Sequence, residues 1–161
     1  MPKVPETAVA CANHHGEGVF WSGRHGLVYW TDILGQRVWA HDPVTSETRD
    51  FRTPGRVCCF ATRKGRPWNE VVAAFADGFA FLDLATGVRT DIAAVEAELP
   101  HTRLNDGRTD RQGRLIAGGM DEGGYSSAAS VYRLDPDKRH IRKENKMETE
   151  NRKERQRNLE H

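Results

Sequence analysis

Apolar residues in this chain fall into short runs, some alternating with polar residues at a period of two and some continuously apolar. Such runs span 27–31, 38–41, 48–52, 57–61, 70–75, 79–82, 88–92, 114–117 and 130–134, and Gly, Asp, Pro, Ser or Asn bounds each. That punctuation predicts β-strands. The one helical candidate is the short segment 92–98. An all-β chain follows.

A weak internal repeat sharpens the class. Val38-Trp39-Ala40-His41-Asp42-Pro43-Val44-Thr45-Ser46 resembles Phe79-Ala80-Phe81-Leu82-Asp83-Leu84-Ala85-Thr86-Gly87, an alternating strand followed by Asp-x-x-Thr and a small residue. A third copy of the strand and its aspartate is Val131-Tyr132-Arg133-Leu134-Asp135. One Asp-x-x-Thr is only a hairpin turn in which the carboxylate caps backbone ahead of it. Recurrence at roughly 40–50 residues, with about four strands per unit, is the spacing of propeller blades.

The 161 residues suit one domain with a buried core, but the last stretch reads differently. Residues 138–161 hold nine Lys or Arg, five Asp or Glu and no aromatic residue. Of the chain's 24 basic and 23 acidic residues, 15 and 18 therefore belong to residues 1–137, so a body of about −3 precedes a tail of +4. Such a tail buries too little apolar surface to offset its ordering entropy and is expected outside the sheets. The organisation predicted is 1–137 as a partial propeller and 138–161 as a charged, disordered or out-of-frame tail. Its acids and its lack of an aromatic platform argue against a nucleic-acid contact.

No signal-peptide pattern stands near Met1 and no run approaches a membrane span, so a soluble, cytoplasmic protein is expected, with no membrane partner. Cys11, Cys58 and Cys59 are odd in number and two of them are adjacent in an apolar run, which reads as buried thiols rather than a disulfide, redox or zinc framework.

Three segments concentrate polar chemistry. His14-His15-Gly16-Glu17-Gly18 places a carboxylate between glycines at the entry to Val19-Phe20-Trp21. There it is either a solvated turn glutamate or a metal-facing ligand. Arg103-Leu104-Asn105-Asp106-Gly107 is either an Asn-Asp-Gly turn or an extended segment with Arg103 and Asn105 on one side, suited to gripping a carbonyl and hydroxyls. Met120-Asp121-Glu122-Gly123-Gly124 adds two acids beside a flexible loop. No Gly-x-Ser-x-Gly elbow, phosphate-cradling glycine loop or Cys-x-x-Cys is present.

At these residues the sequence resembles the family of gluconolactonases, senescence marker protein (regucalcin) and related sugar lactonases. The resemblance rests on Gly16-Glu17-Gly18 with Trp21, on 27–33, on Asp42-Pro43, and on 103–110 with Gly113-Arg114. It continues through Ala117-Gly118-Gly119-Met120 and 131–135. The resemblance implies a six-bladed β-propeller, of which this chain would form about three four-stranded blades. It further implies one bound divalent cation (Ca2+, Mg2+, Mn2+ or Zn2+) and hydrolysis of an aldonolactone to the aldonic acid. Glu17 then matches a metal-ligand position, and Arg103, Asn105 and, more loosely aligned, Glu122 match substrate-binding positions.

The family's remaining metal ligands, including the aspartate assigned to proton transfer, belong to later blades, and this chain has no counterpart for them. After Asp137 the family's next strand and its Asn-Gly and Ser-Pro-Asp turns do not follow, which reads as a frameshifted, misjoined or truncated end. An evolved basic tail is the alternative. The function implied is a metal-dependent sugar lactonase in truncated form. The rival is an inactive propeller fragment, at most a binding or interaction module that self-associates through exposed blade edges.

Overall fold

The computed structural model describes residues 1–124 and 126–137, together with the backbone of 141–144. Three antiparallel four-stranded meanders follow one another along the chain. The first contains β1 (Gly16–Ser22), β2 (Leu27–Asp32), β3 (Arg37–His41) and β4 (Thr48–Arg52). The second contains β5 (Val57–Thr62), β6 (Glu70–Phe75), β7 (Gly78–Asp83) and β8 (Arg89–Ala94). The third contains β9 (Thr102–Thr109), β10 (Leu115–Asp121), β11 (Val131–Leu134) and β12 (Ile141–Glu144). This is the all-β, three-blade arrangement the repeat predicts.

The repeated aspartates satisfy both accounts of them. Asp42 Oδ1 accepts from Val44 N at 2.8 Å and Asp83 Oδ1 from Ala85 N at 2.9 Å. Each is a turn cap, and each closes the hairpin between the last two strands of its blade.

Blade 2 is buried on both sides because its first three strands, β5 to β7, lack a polar face. Val71, Ala73 and Phe75 of β6 enter one core with Tyr29 and Val38 of blade 1. Ala74, with Cys59 and Phe79, enters the other with Leu104, Leu115 and Ala117 of blade 3. Polar ties reinforce the packing: Tyr29 Oη donates to Trp68 O at 3.0 Å, and buried Thr31 Oγ1 to Val57 O at 2.7 Å.

Two expectations change. The segment 92–98 is not helical: β8 runs through Ala94, and Glu96 then takes φ +55°. Val95 is buried, while Glu96 Oε1 accepts from Ser130 N at 2.9 Å and Tyr132 Oη at 3.0 Å. Tertiary bonds to blade 3 thus override the weak local pattern. The tail is not wholly outside the sheets either, because β12 pairs with β11 from Val131↔Glu144 to Leu134↔Ile141. Backbone pairing needs no apolar side chain, which is why composition does not reveal it. The rest of 138–161 lies outside the described residues. Among the described residues no helix is long and apolar enough to cross a membrane.

Candidate functional site

The first strand of each blade, β1, β5 and β9, breaks register along its length. In β1 the pairing steps from Glu17↔Thr31 to Phe20↔Tyr29, so Gly18 and Val19 stand opposite a single residue. In β5 the break falls at Cys58, between Val57↔Phe75 and Cys59↔Ala74. In β9 Asn105 and Asp106 stand opposite Gly118, between Leu104↔Gly119 and Gly107↔Ala117. A bulge re-aims side chains that regular pleating would place elsewhere. Gly18 supplies the left-handed conformation its bulge requires, φ +62°. At Gly107 a Cβ would lie 2.3 Å from Ile116 O and 2.7 Å from Cys59 Sγ, so only glycine admits this approach of strand to strand. The Asn-Asp-Gly segment is therefore an extended, bulged strand rather than a turn.

Arg103, Asn105 and Glu122 come together. Arg103 is 5% exposed, and its Nε lies 3.0 Å from Glu122 Oε1. Its Nη1 donates to Asn105 Oδ1 and to Leu104 O, both at 3.0 Å, and approaches Cys58 Sγ at 3.8 Å. The guanidinium thereby fixes the amide: Oδ1 of Asn105 is engaged, and its NH2 faces away with two donors to offer. Glu122 is held from the other side by Arg56, whose Nη1 donates to the same Oε1 at 2.6 Å. Arg56 carries no signal in sequence, since its partner is 66 residues away and no motif surrounds it.

Cys58 sits at the junction. Burial pushes its thiol up to about 11 against the pull of Arg103 and Arg56. It is therefore a neutral thiol near pH 7, not a nucleophile.

Glu17 is placed apart from these contacts. Its Oε1 lies 3.4 Å from His15 Nε2, and no bond links it to Arg103, Asn105 or Glu122. The adjoining Gly18 faces Cys58 O, at 3.8 Å from where its Cβ would stand, so both halves meet the same residue of blade 2. An open cavity of about 740 Å3 runs along Glu17, Gly18, Asp106 and Arg108 and is backed by Trp30 and His41. Arg103, Asn105 and Glu122 do not line it.

Buried Asp32 orders the approach to Glu17: its carboxylate accepts from His14 N at 2.9 Å, His15 N at 2.8 Å and Gly35 N at 3.0 Å. As a donor set for a divalent cation, what is present does not suffice. Glu17 is one hard oxygen ligand, whereas calcium collects about six to eight. Among the described residues no three His, Cys, Asp or Glu gather to hold a metal.

The family model for the "SMP-30/Gluconolactonase/LRE-like region" matches residues 15–153, continuing past Asp137. The chain is 39% identical over 127 residues to an L-arabinolactonase of Azospirillum brasilense, covering 78% of this chain and 41% of that protein. It is 32% identical over 139 residues to a regucalcin of Danio rerio, covering 85% and 46%. Among solved structures, a calcium-binding regucalcin from Agrobacterium tumefaciens superposes with a TM-score of 0.71 at 27% identity, over 81% of this chain and 43% of that one. A luciferin-regenerating enzyme shares the fold with a TM-score of 0.75 at 22% identity, over 83% and 46%. The chain thus spans somewhat under half the length of these relatives. Matched over most of its length, with three blades that superpose on parts of six-bladed propellers, it belongs to the SMP-30/gluconolactonase/LRE-like family of sugar lactonases.

Proposed function

We propose that this chain serves the hydrolysis of a sugar lactone, an aldonolactone opened to its aldonic acid, and that it supplies the substrate-gripping part of the site. The observation that carries this reading is the Arg103–Asn105–Glu122 constellation, in a chain similar to an L-arabinolactonase and to a 6-deoxy-6-sulfogluconolactonase of Pseudomonas putida. Arg103 locks the amide of Asn105 so that its NH2 points outward, a donor pair suited to a lactone carbonyl as negative charge grows on its oxygen. Glu122 keeps the buried guanidinium neutralised and in place, and its second oxygen is left to accept from a ring hydroxyl. The neutral thiol of Cys58 speaks for water rather than sulfur as the attacking group.

Glu17 is proposed as one ligand of the divalent cation expected of the family. It is insufficient alone, and no step is assigned through that ion.

A second reading, a catalytically silent binding module, is favoured by that incomplete donor set. Exposed Val19 and Trp21 on β1 and Val131 on β11 would then serve self-association. Light scattering across a concentration series tests that association, and a constant monomer mass removes it.

The decisive assay for the first reading is turnover of arabinono-, xylono- and gluconolactone with calcium, magnesium, manganese or zinc, beside Glu17→Gln and Arg103→Ala and a buffer blank. For the isolated 161-residue chain, turnover close to the blank is expected, since among the described residues no donor set gathers for the cation. Joining the later blades of a relative to this chain is expected to produce turnover that Arg103→Ala lowers. A folded, metal-loaded chimera without activity would refute the lactonase reading.

A further inference from the structure

We infer that Arg56 is a specificity-determining residue of this site, giving it with Arg103 a net positive charge that selects sugar ligands bearing a carboxylate over neutral sugars. The inference rests on the proposal that the Arg103 cluster holds a sugar.

A single carboxylate oxygen carries it. Glu122 Oε1 lies 2.6 Å from Arg56 Nη1 and 3.0 Å from Arg103 Nε, so two guanidinium groups share one carboxylate and one positive charge is left over. Neighbouring acids do not cancel it. Asp121 is turned into its own loop, accepting from Gly123 N at 2.7 Å and from Ser126 Oγ. Neither Glu17 nor Asp106 forms an ion pair with Arg56 or Arg103.

The two arginines divide the work. Arg103 is buried, with Nη1 spent on Leu104 O and Asn105 Oδ1 and Nε on Glu122. The side chain of Arg56 is 33% exposed, and only its Nη1 meets an acceptor among the described residues. Its Nε and Nη2 therefore remain for a ligand, in the planar fork that matches a carboxylate.

The fork stands on a firm stem, because Arg56 O accepts from Ala76 N at 2.9 Å and from Cys58 Sγ at 3.7 Å. Linkage of blades 2 and 3 does not demand this second arginine. The apolar core between them and the Arg103–Glu122 pair already join the two blades. What Arg56 adds is charge.

The consequence for the proposed reaction concerns its product. Lactone opening converts a neutral ring into an aldonate anion, and a cationic cluster holds that anion more tightly than the lactone.

Amide chemical shifts of the 15N-labelled chain, titrated with gluconate, with glucitol as the uncharged analogue and with inorganic sulfate, test the assignment. At low salt gluconate is expected to bind about 3- to 10-fold more tightly than glucitol. The ratio should shrink as salt rises. Arg56→Ala and Arg56→Gln should bring the ratio to about one while melting unchanged, Arg56→Lys should keep part of it, and Glu122→Gln should raise it. Sulfate matching gluconate would show that charge alone suffices and would still move with Arg56.

Equal affinities for gluconate and glucitol in the unmodified chain, binding of neither, a ratio that survives Arg56→Ala, or a ratio that falls in Glu122→Gln would each overturn the assignment. Glucitol binding without anion preference removes Arg56 and leaves the lactonase reading standing. Anion preference alongside an inactive, metal-loaded chimera does the reverse.

Discussion

Three backbone amides converge on the carboxylate of Asp32, and they tie the segment leading to Glu17 to the turn after β2. Burial pushes this carboxyl up, but the amides of His14, Gly35 and His15 and the nearby His14 side chain outweigh it and hold the group below its ordinary value. A depressed folded-state value contributes stability that is present above the unfolded value, near 4, and is lost as pH falls through the folded one. Asp32→Ala is therefore expected to cost about 2–4 kcal/mol in urea titrations at pH 7, since it orphans three donors. The penalty should shrink below about pH 4. The cysteines give a second check at this scale. With Cys58 and Cys59 buried and their thiols pushed up by that burial, iodoacetamide at pH 8 should modify Cys11 alone in the folded chain, and a fast reaction at Cys58 would contradict the packing around Arg103. Arg103 and Asn105 stand out in sequence because dense polar residues interrupt an apolar pattern, whereas Glu122 is picked out only by the family resemblance. Arg56 is not, because what gives it meaning is a partner on another blade.

Strand β6, apolar on both faces, appears in the sequence pattern with the bounds it has in space. Legibility falls in β1 and β9. Their bulges insert Gly18-Val19 and Asn105-Asp106, which breaks the period of two just where the candidate site residues stand. The elements that bear the site are thus the ones that read least like strands. Glu96 illustrates another blind spot, for a glutamate in a weak helical pattern turns out to link blade 2 to Ser130 and Tyr132 of blade 3. Removing it in Glu96→Ala should destabilise the chain by about 1–3 kcal/mol, read as a lower urea midpoint, with blade 3 amides losing exchange protection before those of blade 1. Strand β12 is invisible to composition because its pairing is a backbone matter. Its presence predicts protected amides on both sides of β11, and a chain cut after Asp137 should lose protection at the amides of Val131–Leu134 that face β12.

Taken whole, the molecule hangs on its middle blade, whose side chains fill the cores on both sides. Phe75, fully buried in the first core, should cost about 3–5 kcal/mol when replaced by Ala. Because blade 2 is shared, far- and near-ultraviolet circular dichroism should follow one unfolding transition, and two separated transitions would show blades that fold alone. Fold class was within reach of sequence because blade periodicity is a long-range average that survives local exceptions. The geometry of the site was not, since it depends on which register each first strand adopts. Those three register breaks also bear on how such a site changes through descent. Each lies between ladder segments that pair normally on either side, so an exchange at Glu17, beside the first break, or at Asn105, within the third, swaps the group presented there without asking the blade to refold. The two positions act as sockets, and a lineage refits them one at a time, trying new substrates while the blades that carry them stay the same.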